Sequence, residues 1–89
     1  MLITDFDWPE GVADKVLAKH GLTVEEVEES FNYRGARVER IRGDRYVLLS
    51  RTKDGAYIFA VFQQSSPRTA TIVTARPMTR SERRYYARG

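Results

Sequence analysis

Apolar and polar residues alternate with a period of two through most of the chain from Ala36 onward. The alternating runs are rich in β-branched and aromatic residues, which favour strands, and glycine or proline turn signals separate them. The pattern predicts a meander of four antiparallel strands with the sequences RVERI, RYVLLSRT, AYIFAVFQQ and TATIVTAR. The third run is apolar on both of its faces, so we expect it to be the central strand.

A strand and two helices are predicted before the meander. The segment LITDFDW alternates in the same way and should form a short strand at an edge of the sheet. Pro9 suits the first turn of a helix that ends at His20, just before a glycine. Thr23 and Glu26 form a capping box for a second helix, whose four glutamates indicate a solvated face. Two helices can cover only one face of the sheet, so the terminal segment, a partner or a ligand must cover the other.

The end of the chain, TARPMTRSERRYYARG, contains five arginines. Thr79 and Glu82 predict a second capping box and a short helix after it. A helix of about nine residues does not persist in water unless it docks, and Met78, Tyr85 and Tyr86 are the candidates for docking. Arginines at every fourth position of this helix repel one another unless an anion lies across them.

Composition narrows the range of functions. The chain has 89 residues, enough for one domain, which we expect to span residues 1–89. It contains no cysteine and one histidine, so a disulfide framework, a thiolate zinc site and a cysteine nucleophile are excluded. We expect neither a metal nor another cofactor. No apolar run approaches the length of a membrane span, and the first seven residues carry acids where a secretory signal carries bases, so the expected location is cytoplasmic.

The charge is unevenly distributed along the chain. The formal net charge is +3, but the first 32 residues carry −6 and the last 25 carry +5. Such asymmetry indicates an acidic front and a basic back, and a basic surface attracts polyanions through counterion release. Charge alone is also consistent with an ordinary solvated surface, so it favours nucleic acid as a partner only slightly.

Four segments spread over nearly the whole chain share their order and spacing with a known family. They are FDW, KHGLTVEEVEESF, RYVLLSRTKDGAYIFAVF and TARPMTRSERRYY. In these segments the chain resembles BrnT, the ribonuclease toxin of a bacterial type II toxin–antitoxin pair. The resemblance implies an α+β, RelE-like fold, in which an N-terminal strand and two helices pack on an antiparallel β-meander and a short C-terminal helix follows.

The resemblance also implies an activity and partners. The activity is metal-independent endoribonuclease cleavage of RNA, which inhibits growth. The implied partner is a DNA-binding antitoxin, BrnA-like, that masks the active face, so DNA is contacted only through the antitoxin and no membrane is involved. The chain departs from the family pattern at Val16, where asparagine is usual, and at Thr71, where a basic residue is common. A lost phosphate contact can lower a rate by orders of magnitude, so a non-catalytic module that binds protein or nucleic acid is the alternative.

Metal-independent RNA cleavage sets requirements that arginine side chains suit. The 2′-hydroxyl attacks the adjacent phosphorus, and the protein must stabilise the negative charge that develops on the phosphate. The planar fork of arginine stays charged and can hold two phosphate oxygens. Arg76, at the end of the last strand and inside the family motif, is the first candidate. Arg45 and Arg51 have the same side-chain parity on a neighbouring strand and extend the same basic face, and Arg80 and Arg83 are further candidates for substrate contacts.

Each candidate for proton transfer also has a structural explanation. Histidine is the side chain most used for proton transfer, and His20 lies with Lys19 in a family motif, yet a histidine in the last turn also suits a helix C-terminus. Glu82 is a candidate base, although its spacing from Thr79 already explains it as a cap. Tyr86 suits a phosphate bond or base stacking, and it equally suits a role in pinning the last helix to the sheet.

Overall fold

The computed structural model describes residues 1–89 and contains five strands and three helices. In chain order the elements are β1 (Asp5–Asp7), α1 (Val12–His20), α2 (Val24–Ser30), β2 (Arg37–Arg42), β3 (Arg45–Arg51), β4 (Tyr57–Ser66), β5 (Thr69–Pro77) and α3 (Arg80–Ala87). The order of strands and helices confirms the predicted α+β class. None of the three helices combines the length and the apolar character needed to cross a membrane.

The five strands form one mixed sheet in the order β1-β5-β4-β3-β2. Strands β2 to β5 are a consecutive antiparallel meander, whereas β1 pairs in parallel with the start of β5. β4 lies between β5 and β3, which confirms that the strand with two apolar faces is central. β1 lies at an edge, as its sequence predicted.

The hydrophobic core lies between one face of the sheet and helices α1 and α2, and we call this the α1/α2 face. Phe62 of β4 is fully buried at its centre. Its ring stacks on Tyr46 with centroids 5.6 Å apart, and it meets Phe31 edge-on at 5.1 Å. Val16 of α1 and Val27 of α2 complete the contact from the helical side.

The opposite face of the sheet is the one on which α3 lies, and we call it the α3 face. Side chains alternate between the two faces along each strand, and the register between the strands determines which residues share this face. From β3 and β4 these are Arg45, Val47, Leu49, Arg51, Tyr57, Phe59, Val61 and Gln63. The terminal segment therefore covers part of the face that the first two helices leave open, as expected.

The start of α1 differs from the prediction. Pro9 does not lie in the first turn of the helix, because its carbonyl accepts a hydrogen bond from Val12 N–H at 3.1 Å in a separate turn. Gly11 ends that turn with φ 85°, a backbone conformation that glycine adopts readily, and the helix begins at Val12. β1 is also shorter than LITDFDW, because only its last residues reach the parallel ladder with β5.

The capping box of α2 is confirmed, but its glutamates are not all a solvated face. Thr23 accepts a hydrogen bond from Glu26 N–H at 3.1 Å, and Glu26 accepts one from Thr23 N–H at 2.9 Å. Glu28 accepts from the Trp8 indole at 2.8 Å, and Glu29 accepts from Lys53 N–H at 3.1 Å. These two carboxylates fix α2 against neighbouring segments, so the prediction of a wholly solvated face was wrong for them.

We expect Phe62→Ala to lower the free energy of unfolding by about 3–5 kcal/mol, because the substitution leaves a cavity at the centre of the aromatic cluster. Ile41→Ala is the matched control, since Ile41 is 51% exposed on edge strand β2, and its expected effect is below about 1 kcal/mol. Denaturant unfolding of both variants measures the difference. Equal effects would place the core elsewhere.

Candidate nucleic-acid interface

Three arginines from separate stretches of the chain meet at one end of the α3 face. Arg51 ends β3, Arg76 lies near the end of β5, and Arg83 lies on α3. We call these three side chains the arginine cluster. Two aromatic side chains of β4, Tyr57 and Phe59, lie beneath these guanidinium groups.

Two of the three guanidinium groups contact the Tyr57 ring. Tyr57 pairs with Arg51 in the β3–β4 register, and the Cζ atoms of Arg51 and Arg83 each lie 4.7 Å from the ring centroid. Cation–π attraction holds both groups there, and neither forms an ion pair with a carboxylate. Two like charges held near one ring repel each other, and an anion within reach of both would be attracted to both.

The Arg51 side chain extends toward the turn between β3 and β4. A Cβ atom at Gly55, which has φ 91°, would lie 3.4 Å from Arg51 Nη2. Arg51 Nε is buried and donates to no acceptor. An unsatisfied buried donor costs about 1–3 kcal/mol, and the cation–π contact of Arg51 with the Tyr57 ring offsets part of that cost.

Arg76 and Glu82 form a two-pronged ion pair that joins β5 to α3. Arg76 Nη1 and Nη2 donate to Glu82 Oε1 and Oε2, both at 2.9 Å. Glu82 Oε1 also accepts from Thr79 N–H at 2.8 Å, which closes the predicted capping box. The hydrogen bond from Arg76 lowers the pKa of Glu82, and the same bond raises the pKa of Arg76. The charge of Arg76 is therefore balanced within the protein, while those of Arg51 and Arg83 are not.

Tyr86 pins the end of α3 to the sheet. Its hydroxyl donates to the Gly35 carbonyl at 2.8 Å, and its ring meets Tyr57 edge-on with centroids 6.2 Å apart. A Cβ atom on Gly35 would lie only 3.0 Å from that hydroxyl, so glycine permits the close approach. Burial raises the pKa of Tyr86. This geometry favours the pinning role that the sequence offered as one alternative, and a catalytic role for Tyr86 stays a prediction.

Arg37 of β2 is a contact that the sequence analysis did not identify. Its Nη1 donates to the carbonyls of Tyr85 at 3.3 Å and Tyr86 at 3.5 Å, in the last turn of α3. A cation at this position also complements the helix dipole. Arg37 Nη2 donates to Glu39 at 3.1 Å, and Glu39 accepts from the Tyr85 hydroxyl at 2.8 Å, which raises the pKa of Tyr85.

The docking residues predicted for α3 are confirmed in two cases of three. Met78, just before the helix, is buried, and Tyr86 is half-buried against Tyr57. Tyr85 is 46% exposed and contributes through its hydroxyl bond to Glu39 and through the contact of its ring with Arg37, and not by burial. The short helix is therefore held mainly by polar contacts.

Three of the remaining predicted site residues lie apart from the arginine cluster, and the fourth, Arg80, lies one turn before Arg83 on α3. Lys19 and His20 lie in the last turn of α1, which packs on the α1/α2 face, and neither side chain forms a hydrogen bond or an ion pair. Arg45 is on the α3 face, but it lies at the other end of β3 from Arg51, a distance of roughly 20 Å. Arg80 is exposed at the first position of α3 and has no ion pair.

The arrangement offers fixed positive charge beside aromatic rings. Guanidinium groups bind phosphate oxygens, and exposed ring surface accepts stacked bases, so the site suits single-stranded nucleic acid. No group of three or more histidine, cysteine, aspartate or glutamate side chains lies close enough together to hold a metal ion. The signal for Tyr57 was present in the sequence, because a tight turn at Gly55 pairs it with Arg51.

The fold is similar to that of a solved ribonuclease toxin. The 1.1 Å crystal structure of the Brucella abortus ribonuclease toxin BrnT superposes with a TM-score of 0.68 and is 20% identical in sequence. The match covers 86% of this chain and 100% of the Brucella chain. It shows that the two proteins share a fold, as the resemblance implied. No protein-family profile and no curated protein sequence matches this chain.

The ion pair between Arg76 and Glu82 predicts a pH-dependent stability. Because the folded-state pKa of Glu82 is below the ordinary value of 4.5, its contribution is complete above that value and is lost as pH falls through the lowered pKa. Glu82→Gln keeps an oxygen for the cap but removes the charge. We expect it to lower the free energy of unfolding by up to about 1 kcal/mol at neutral pH.

Denaturant unfolding of the parent and of Glu82→Gln at pH 7 and at progressively lower pH measures this contribution. The difference between the two proteins should shrink below pH 4.5. Glu10→Gln is the control, since Glu10 is exposed and forms no hydrogen bond. A difference that stays constant with pH would show that the ionised carboxylate is not what matters.

Proposed function

We propose that this chain is the toxin of a bacterial type II toxin–antitoxin pair, a metal-independent endoribonuclease of the BrnT family. The observation that carries the proposal is the arginine cluster, in which Arg51 and Arg83 lie on one ring with no carboxylate to balance them. The fold shared with a ribonuclease toxin and the resemblance in the terminal motif support the same conclusion.

In the proposed reaction, the 2′-hydroxyl of the RNA gives up its proton and attacks the adjacent phosphorus, and the 5′ oxygen takes up a proton and departs as a hydroxyl group. Arg51 and Arg83 hold the nonbridging oxygens of that phosphate, because their charges are free to stabilise the added negative charge. The Phe59 ring, over which Arg76 lies in the free protein, can support a neighbouring base once Arg76 turns away from it. Arg80 lies one turn before Arg83 on α3 and can contact the same phosphate or the next one, whereas Lys19 and Arg45 lie farther away and contact other parts of the RNA.

Glu82 and Arg76 can separate and take new roles when the substrate binds. In the free protein the two are bonded to each other at 2.9 Å. If Arg76 turns to the phosphate, the carboxylate of Glu82 is released and can accept the proton of the 2′-hydroxyl. One movement thus supplies a third cation and a base. Tyr86, if it leaves Gly35, and His20, which lies at the end of α1, are the other candidates for proton transfer.

The proposal includes the partners and the location of the protein. RNA in the cytoplasm is the substrate, and growth is inhibited when it is cleaved. A BrnA-like antitoxin that binds DNA masks the α3 face, so DNA is contacted only through it. The basic surface that attracts RNA also suits the binding of an acidic segment of a protein.

A second candidate function is a binding module without catalysis on the same basic face. This alternative is supported because each candidate for proton transfer either is hydrogen-bonded to another residue of the protein or lies far from the arginine cluster. Glu82 is bonded to Arg76, Tyr86 is bonded to Gly35, and His20 lies on α1. Such a module would bind RNA or protein through the same cations and leave RNA intact.

We expect controlled expression of the parent to arrest growth and to fragment transcripts. Arg83→Ala should lower the cleavage rate by roughly a hundredfold or more, because it removes a cation from the developing charge. Arg83 is exposed and has no ion pair, so the variant should keep its fold. The matched control is Arg68→Ala, an exposed arginine in the β4–β5 turn whose side chain makes no contact with the cluster.

Purified protein and a chelator complete the test. Cleavage of a synthetic RNA should persist in the presence of the chelator, with 2′,3′-cyclic phosphate ends. A folded parent that neither slows growth nor cuts RNA would exclude the enzyme and leave the binding module. Equal activity of Arg83→Ala and Arg68→Ala would show that the arginine cluster is not the site.

A further inference from the structure

A second basic site lies at the other end of the α3 face. Arg42 pairs with Arg45 across the β2–β3 hairpin, and Arg45 pairs with Gln63 on β4, so these three residues form a row across the sheet. With Asp44 they line an open cavity of about 350 Å³ that contains no hydrophobic residue. We call this the hairpin site.

The cations of the hairpin site are free to bind an anion. Arg42, Arg45 and Gln63 are exposed, and neither arginine forms an ion pair, with Asp44 or with any other carboxylate. The carboxylate of Asp44 lowers the local positive charge but leaves it net positive. Gln63 adds an amide that can donate to an oxygen. This combination suits a phosphate held on a surface.

The surface between the hairpin site and the arginine cluster is apolar and open. Val47 and Val61 are half-buried, and Phe59 is half-buried beside Arg76. Leu49, closer to the arginine cluster, is 3% exposed, so the open part of this face does not include it. A path of apolar surface thus connects two cationic sites that are roughly 20 Å apart.

We propose that the hairpin site holds a second phosphate of the same RNA strand whose cleaved phosphate lies at the arginine cluster. This inference rests on the proposed function and adds a length requirement to it. A stacked strand carries one phosphate per about 3.4 Å, so roughly six nucleotides separate the two sites, and fewer do if the strand is extended. The substrate is therefore a single-stranded tract that lies along β3 and β4, with its bases on the apolar path.

The test is binding of fluorescent 2′-O-methyl RNA, which cannot be cleaved, in two lengths. An oligonucleotide of about ten nucleotides reaches both sites, and one of three nucleotides reaches only one. The double variant Arg42→Ala/Arg45→Ala should weaken binding of the longer RNA, lower its salt dependence by roughly 1.4 in log–log slope for two lost contacts, and leave the shorter RNA unaffected. Arg83→Ala should weaken both, and Arg68→Ala neither.

Asp44→Asn provides a change in the opposite direction. Asparagine suits the same hairpin turn, so the fold is retained, and loss of the carboxylate should tighten binding of the longer RNA severalfold. Arg45→Lys should retain most of the affinity that Arg45→Ala loses, because a point charge still meets the phosphate. Thermal unfolding of each variant checks that the fold is intact.

The outcomes separate this inference from the proposed function. If the double variant binds the longer RNA as tightly as the parent while Arg83→Ala loses cleavage, the hairpin site is refuted and the nuclease stands. If the parent binds neither RNA and cleaves none, both are refuted. Weaker binding of both lengths by the double variant would also contradict the proposal, since the shorter RNA should not need the hairpin site.

Discussion

The attachment of α3 to the sheet by the Arg76–Glu82 ion pair is the constraint on which the candidate site depends. α3 has eight residues and no buried side chain, so neither its length nor its packing would hold it in place. The ion pair fixes its first turn, and Arg37 and Gly35 hold its last turn through carbonyl and hydroxyl bonds. Only with the helix in this position does Arg83 lie over Tyr57.

The four arginines that lie where α3 meets the sheet therefore fall into two groups in the free protein. Arg37 and Arg76 have carboxylate partners and hold the structure together. Arg51 and Arg83 have none, and they share an aromatic ring at the junction of the sheet and the helix. A balanced pair stabilises modestly and does not attract a ligand, whereas unbalanced cations in a fixed geometry do. The same residue type thus serves the fold in one place and the site in another.

Local signals in the sequence predicted most of the fold. The two capping boxes, the glycine after His20 and the strand alternation are each determined within a few residues, and the structure contains all of them. The predicted start of α1 was wrong because the local signal is ambiguous, since Pro9 suits a turn as well as the first turn of a helix. The parallel pairing of β1 with β5 could not be predicted, since nothing in either segment specifies its partner.

The site was predicted less completely, for a physical reason. Parity placed Arg45 on the same face as Arg51, but parity does not report distance along a strand. The roles of Arg76 and Glu82 were considered separately, because their mutual bond depends on how β5 turns into α3. Arg37 and Gly35 were missed because their partners are 48 and 51 residues away. Contacts of this kind follow from the tertiary arrangement alone.

The uneven charge along the chain becomes an uneven charge in space. The first 32 residues, which carry −6, supply β1, α1 and α2, whereas the free arginines lie on the α3 face and its helix. The molecule therefore has a permanent electric dipole moment directed across the sheet. In the field of a polyanion the molecule experiences a torque that turns its α3 face toward the polyanion before contact. A larger share of encounters therefore begins with the α3 face in contact. Counterions shorten the reach of this torque to about a Debye length, so it acts mainly in the final approach.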